Sequence, residues 1–361
     1  MKRPSKVIAQ APTVTCEYGA YERVAARVAC SRKVRQGISV GELTFKQYTS
    51  HCVNIFALPS IVMSDEVSAA INDRRGIVAL ETTIVVHGLP TPINIEVAQE
   101  CEAAVRVSGA VPATIGVLGG RVVVGLSSKE LVTLAAVDTH ALKLSARDLG
   151  LAVARGANGA TTVAGTISVA RRVGIDVMAT GGLGGVHRDA AASFDESADL
   201  TALARYQVLV VASGVKSILD VSATLERLDS LGVPIVGFAT RRFPGFYQSD
   251  SGFSVDWHVS DADEAAAAFL AHREFSTTGL LVANPIDACR ELSPELHEQA
   301  LQSALEKARL LGVKGKDVTP VLLAEFARFT AGISVEVNRD LVIANAGVAG
   351  RIAQAIARAR E

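Results

Sequence analysis

The chain has 361 residues, 49% of them apolar and 20% charged, with 36 basic residues against 37 acidic ones and a formal net charge of -1. That combination excludes a disordered chain, a collagenous one and a generally basic nucleic-acid binder. The near-zero charge conceals an asymmetry: residues 1–62 carry nine Lys/Arg and three Asp/Glu, whereas residues 63–361 carry 27 and 34, giving balances of +6 and -7. Five cysteines, an odd number without CxxC spacing, argue against a disulfide scaffold and a zinc site and suit a reducing compartment. No run approaches the roughly 18 apolar residues a membrane span needs, and without a charged start followed by an apolar run and a small-residue cleavage site no secretory leader is expected. A soluble, cytoplasmic protein with neither nucleic-acid nor membrane partners is expected.

Residues 1–62 show no sustained hydrophobic period. A basic, serine-containing leader suits organellar targeting, but Glu17, Glu22 and Glu42 and the lack of an Arg-rich amphipathic helix favour a poorly ordered extension ahead of a start at Met63. No chemistry is assigned to it. Residues 63–361 contain no repeat, linker or composition break and are expected to form one catalytic domain.

From Gly76 onward, short apolar runs alternate with segments of helical period, the pattern of an α/β fold. Gly76 to Leu80 reads as a buried strand. Asn94 reads as the N-cap of a helix that stops at Gly109. Ala113 to Leu118, Gly119-Gly120 and Arg121 to Gly125 form a hairpin, and Ser127 with Glu130 a capping box. A short strand is expected near Leu151 to Ala154, a Thr- and Ala-rich helix after Gly159, and a strand at Ile175 to Ala179. After the glycine loop Thr180 to His187, Ser197 opens a helix and Val208 to Ala212 is the strongest strand. A helix from Lys216 to Leu231, strands at Pro234 to Phe238 and Leu280 to Ala283, and mostly helix from Pro294 complete the chain. A hairpin among parallel units predicts a mixed, mostly parallel sheet.

Two glycine motifs are set aside. GVKGKD (Gly312 to Asp317) lacks the spacing and the Ser/Thr of a phosphate loop and reads as a helix-terminating turn. TGGLGG (Thr180 to Gly185) follows a strand but leads into VHRD rather than an apolar helix, so a nicotinamide cofactor is not expected. The seven histidines lack metal-ligand spacing.

Glu81 stands at the carboxyl end of the strand GIVAL, where open α/β sheets bind ligands and partial burial raises a carboxylate's pKa toward general-acid duty. The bland alternative is a carboxylate satisfied by turn hydrogen bonds. Lys216 follows VLVVA and the Ser213-Gly214 turn, at the expected amino-terminal end of a helix whose dipole would depress its pKa and favour Schiff-base chemistry on a sugar carbon; a solvated surface lysine is the alternative. SFDESADL places Asp195, Glu196 and Asp199 within five residues, a pattern able to hold a hard cation with retained waters. Helix capping by Ser197 and Asp199 explains part of it without metal, but leaves Asp195 unexplained. Lys143 and Arg147, in a loop-like stretch, could clamp a phosphate or simply be solvated.

ALETTIVVHGLPTP, GAVPATIGVLGGRVVVGL, KLSARDL, GATTVAGT, ATGGLGGVHRDAAASFDESADLTALAR, SGVKSILD, LVANPI and GKDVTPVLLA, in this order, resemble the pseudouridine-5'-phosphate glycosidases. The resemblance covers Met63 to the end and is specific, because eight separated blocks agree. It implies a three-layer α/β/α domain, a homotrimer with one Mn2+ per subunit, and reversible cleavage of pseudouridine 5'-phosphate to uracil and ribose 5-phosphate, a lyase reaction of pseudouridine catabolism. It further implies Lys216 as the nucleophile toward ribose C1', Glu81 as the proton donor and Asp195 as the Mn2+ site. Ser197, Ala198, Asp199, Lys143 and Val163 would bind substrate, and Thr180, His187 and Asn338 would line the pocket. Three departures stand out: Asp189 where a glycine is expected, Ala344 where an asparagine is expected, and an unusually polar Val337 to Asp340. A Schiff-base aldolase or isomerase on another phosphosugar and a catalytically silent sugar-phosphate binder are the competing readings.

Overall fold

The computed structural model describes residues 60–313 and 318–360. In chain order their elements are β1 (Ile61–Met63), α1 (Asp65–Asn72), β2 (Ile77–Leu80), α2 (Ile93–Val107), β3 (Val111–Leu118), β4 (Arg121–Val124), α3 (Ser128–Ala135), β5 (Leu142–Leu144), α4 (Leu149–Ala154), β6 (Gly159–Thr161), α5 (Val163–Val173), β7 (Val177–Ala179), α6 (Ala190–Ser193), α7 (Ala198–Arg205), β8 (Leu209–Ala212), α8 (Val221–Ser230), β9 (Ile235–Phe238), β10 (Trp257–Val259), α9 (Ala262–Phe275), β11 (Leu280–Ala283), α10 (Pro294–Leu311), α11 (Val318–Phe329) and α12 (Ile333–Arg358).

The strands make one sheet in the order β1-β4-β3-β2-β7-β8-β11-β9-β10, with β6 paired to β3 and β5 to β6. Pairing is parallel except where β3 meets β4 and β6, so the sheet is mixed and mostly parallel as expected. Every residue of β2, β7, β8 and β11 is buried, which is why these strands read as continuous apolar runs: both faces are covered. The long helix α12 lies on β2, β7 and β8 and packs against α2 and α9, while α5 packs on β2, β3 and β7 and against α7. Local signals set the helix ends. Thr162 accepts from the Gly165 N–H to open α5 and Gly174, at φ +85°, closes it; Ser127 and Glu130 form the expected capping box of α3. Among the described residues, no single helix is long and apolar enough to cross a membrane.

Several expectations are corrected. Leu149–Ala154 is helix, not strand; with only Ala152 buried, its apolar side chains flank a surface turn of helix. Asn94 lies inside α2, whose N-cap is Pro92; the Asn94 amide instead reaches back 2.7 Å to the Val85 carbonyl. The helix expected from Lys216 begins only at Val221, because the Asp220 carboxylate accepts from the Ala223 N–H at 2.9 Å and caps it there. Lys143 is on β5 rather than in a loop. Strand β1 takes in Ile61 and Val62, ahead of Met63, in register with Val122 and Val123. The proposed extension up to residue 59, and residues 314–317 of the GVKGKD turn, lie outside the described residues; Gly312, at φ +63°, caps α10.

Candidate active site

Strands β2, β7, β8 and β11 are neighbours and parallel, so their carboxyl ends form one crest. The residues that follow them are Glu81, Thr180, Ser213 and Asn284, all buried. A cavity of about 260 Å3 opens over the crest. Glu81, Lys216, Lys143, Asp195, Ser197, Ala198, Asp199, Val163, Thr180, His187 and Asn338 all line it, as does Arg147. Residues from six separated stretches of sequence are thereby brought to one place.

Glu81 is buried, 9% exposed, and its Oε1 accepts the Thr180 hydroxyl proton. Burial raises its carboxyl above the usual range; the nearby Lys216 ammonium, the Thr180 hydrogen bond and Lys143 oppose that rise, and Asp199 adds to it. A carboxyl that resists ionisation next to a cavity suits a proton donor. Its flanking threonines hold the backbone rather than the carboxylate. Thr82 donates to the Ile115 carbonyl at 2.8 Å and accepts from the Thr161 N–H at 2.9 Å, and Thr83 donates to the Thr161 carbonyl at 2.8 Å.

Lys216 sits in the turn between β8 and α8. Its N–H donates to the Leu183 carbonyl at 3.1 Å and its carbonyl accepts from the Leu219 N–H at 2.9 Å. The dipole of a helix beginning at Lys216 is therefore not what acts on this lysine. The turn depends on Gly214, at φ +76°, where an added Cβ would lie 2.0 Å from the Pro244 carbonyl oxygen. Arg188 ties the same turn to the glycine loop, donating to the carbonyls of Ser217 at 3.1 Å and Ile218 at 3.3 Å.

Asp199 is buried, and its two oxygens accept the N–H groups of Ala164 and Gly184, each at 2.9 Å. It thus joins the start of α5 to the TGGLGG loop. A Cβ on Gly184 would stand 2.2 Å from the Ser197 hydroxyl oxygen, so these glycines serve close packing of loop on helix end. Ser197 caps α7, as expected, accepting from the Asp199 N–H. Asp195 lies nearer solvent, its Oδ2 3.9 Å from His187 Nε2, while the Asp195 carbonyl accepts the His187 N–H at 3.0 Å. Glu196 is engaged by Arg227 at 2.8 Å. Asp189, the unexpected acid, is exposed and stands just before the short helix α6 without a side-chain capping hydrogen bond.

Toward α5 the wall changes character. Lys143 points from β5, Arg147 from the following turn, and the Ser145 hydroxyl is buried without a hydrogen-bond partner. Val163, itself buried, is the first residue of α5, so what it offers a ligand is the amide end of a helix of eleven residues. Asn338 Oδ1 is likewise buried and unpartnered at the cavity wall.

Two residues of this site were not singled out from sequence. Asn345, fully buried, donates through Nδ2 to the Thr180 carbonyl at 2.8 Å and the Ser213 hydroxyl at 3.1 Å, while its Oδ1 accepts from Asn284 Nδ2 at 2.8 Å. It ties three strand ends together from α12. A second amide seven residues after Asn338, on a face otherwise made of Leu341, Val342, Ala346 and Ala349, is the available signal. His87, in the turn after Glu81, also lines the cavity.

Residues 66–355 match the family profile described as indigoidine synthase A like protein. The chain belongs to the indigoidine synthase A-like family. Among curated members of known name, it is 55% identical to the pseudouridine-5'-phosphate glycosidase of Salinispora tropica over 294 residues, covering 81% of this chain and 90% of the relative. It is 50% identical to that of Saccharopolyspora erythraea over 297 residues, covering 82% and 98%. Two solved structures of the family superpose on it. The prealnumycin C-glycosynthase AlnA, in complex with ribulose 5-phosphate, has a TM-score of 0.77 and 38% identity, covering 83% of this chain and 98% of its own. The indigoidine synthase A-like protein of Thermotoga maritima has a TM-score of 0.75 and 36% identity, covering 82% and 97%.

Proposed function

We propose that this chain is a pseudouridine-5'-phosphate glycosidase, cleaving and re-forming the C–C bond between uracil C5 and ribose C1'. The observation that supports it most directly is the shared cavity of a buried carboxyl, Glu81, and an amine, Lys216, at the crest of the sheet. A C-glycoside has no leaving heteroatom for a pair of carboxylates to assist, so an electron sink at C1' is needed.

In the proposed sequence the Lys216 ammonium first gives a proton to solvent, its freed Nζ lone pair bonds to C1' as the C1'–O4' bond breaks, and Glu81 gives its proton to O4'. The Glu81 carboxylate takes up the proton that the new C1'–N bond releases and delivers it to uracil C5. The nitrogen lone pair then forms C1'=N, and the C1'–C5 electrons restore the C5=C6 double bond of departing uracil. Water adds to the iminium and frees ribose 5-phosphate, so one water is consumed overall. Lys143, Arg147, the Ser145 hydroxyl and the start of α5 are suited to the 5'-phosphate, whose binding energy orients the reacting carbon. Ser197, Ala198, Asp199, Thr180, His187 and Asn338 complete the substrate pocket in this reading.

Mn2+ is proposed at Asp195. Among the described residues no three His, Cys, Asp or Glu side chains gather as a metal cluster, so the fit is to a sparsely held ion: Asp195, with His187 beside it, and water for the remainder. When bound, it would orient substrate groups and stabilise developing negative charge. A homotrimer, a cytoplasmic setting, and no chemistry in residues 1–62 belong to the same reading.

Chromatographic detection of uracil after incubating Mn2+-supplied protein with pseudouridine 5'-phosphate is the direct test; no uracil would sink the proposal. Borohydride should trap a ribose 5-phosphate adduct on the unaltered chain and not on Lys216→Ala. Trapping that survives the substitution removes Lys216 from the mechanism.

A further inference from the structure

A second cavity, of about 550 Å3, lies at the other end of the sheet, where β2 and β7 begin. Five arginines reach it from four elements: Arg74 and Arg75 from the end of α1, Arg171 from α5, Arg273 from α9 and Arg360 from the end of α12. Asp176 is the one acidic residue in its wall, so the cavity carries a formal charge of +4 in a chain whose overall charge is -1.

Arginine at the end of a helix is ordinary, because it complements the dipole there. Convergence of several such ends on one cavity is not, since their cations repel each other at short range unless an anion sits between them. Asp176, 11% exposed, supplies part of that anion. It holds Arg273 at 2.7 Å and Arg360 at 2.6 Å, and the Arg273 guanidinium is also steadied over the Phe269 ring, 5.6 Å from its centre. Two forks are thereby fixed at the cavity floor. Arg74 and Arg171 have no ion pair or hydrogen bond through their guanidinium groups among the described residues, and Arg75 has only Asp73 at 3.7 Å. Three guanidinium groups thus remain for a ligand around a partly neutralised, rigid base.

We propose that this cavity is a second ligand site, for a small molecule bearing a di- or triphosphate. Planar guanidinium forks match phosphate oxygens in pairs, and a single phosphate is too small to engage forks on several helix ends at once. The volume lies within the range of small-molecule pockets. The site is remote from Glu81 and Lys216 in the fold, so it stands independently of the reaction proposed for them.

Isothermal titration of the full chain with inorganic pyrophosphate, ATP, UTP and orthophosphate tests this, with ribose 5-phosphate present at saturation to fill the other cavity. Pyrophosphate or a nucleotide should bind at least about tenfold more tightly than orthophosphate, and the double substitution Arg74→Ser/Arg171→Ser should weaken that binding by about tenfold or more. The circular dichroism and uracil release of the double variant should be unchanged. Tighter binding of the nucleotides than of pyrophosphate identifies a nucleoside as part of the ligand, and equal binding identifies the phosphoanhydride alone; both support the site. Binding of pyrophosphate no tighter than orthophosphate, insensitivity to the double substitution, or tighter binding of a single-stranded oligonucleotide would each overturn it.

Discussion

The Thr180 hydroxyl donates its proton to Glu81 across the junction of two parallel strands, so the buried acid is held by the strand next to its own. That hydrogen bond lowers a carboxyl pKa that burial raises. Thr180→Val should therefore move the pKa further up, shifting the alkaline limb of the kcat profile to higher pH. Loss of orientation should also slow turnover by roughly tenfold or more. A profile unmoved by the substitution would show that the limb belongs to another group.

Stability should report the same carboxyl. Because the folded pKa of Glu81 lies above its unfolded value, the native state binds more protons than the unfolded one between the two. Its contribution is thus present below the unfolded pKa and is lost as pH rises through the folded value. Glu81→Gln removes this dependence. The difference in urea midpoint between Glu81→Gln and the unaltered chain should widen in favour of the variant on going from acid to neutral pH.

Asn345 has polar partners on three strand ends, and replacing it leaves several of them buried and unpaired. Each such group costs about 1–3 kcal/mol, so Asn345→Leu should destabilise by at least about 2 kcal/mol in urea unfolding. Turnover should fall in the surviving folded fraction because Thr180 and Ser213 lose their common anchor.

Gly214→Ala tests the turn that carries Lys216. The residue would need a left-handed conformation costing about 1–2 kcal/mol, and its methyl would collide with the Pro244 carbonyl. The turn must shift, so kcat should drop further than KM changes. Arg188→Ala, which unties the same turn from the glycine loop, should give a milder loss of kcat with stability nearly intact.

For the proposed cation, Mn2+ titration followed by electron paramagnetic resonance should show one binding event per chain that Asp195→Ala weakens by about tenfold or more. Equal Mn2+ binding in both proteins would remove Asp195 as the ligand.

What could be read from sequence was whatever depends on neighbours in the chain. The apolar runs of β2, β7, β8 and β11, the β3–β4 hairpin and the caps at Ser127 and Ser197 are local signals, and they appear where expected. The motif blocks marked the residues that now line one cavity. The short strands β1, β5, β6 and β10 are not legible, since, unlike β7, they lack a longer apolar run around them and three residues are too few to show a period. The same shortness makes Leu151 to Ala154 read as a strand, although it lies in the helix Leu149–Ala154.

Other features were settled only by packing. The start of α8 was misplaced because an apolar run after Lys216 looks helical, whereas the Asp220 cap and the contacts of Lys216 with Leu183 and Leu219 decide otherwise. Asn345 and the gathering of Arg171, Arg273 and Arg360 join residues far apart in the chain. Period, capping and residue type along the chain are enough for the class of fold, the positions of its main strands and the identity of the chemically able side chains, but not for the order of those strands in the sheet. Tertiary structure decided that Glu81 is desolvated, that Asp199 is taken up by backbone amides and that five arginines share one cavity, because burial and charge proximity depend on distances no spacing along the chain encodes.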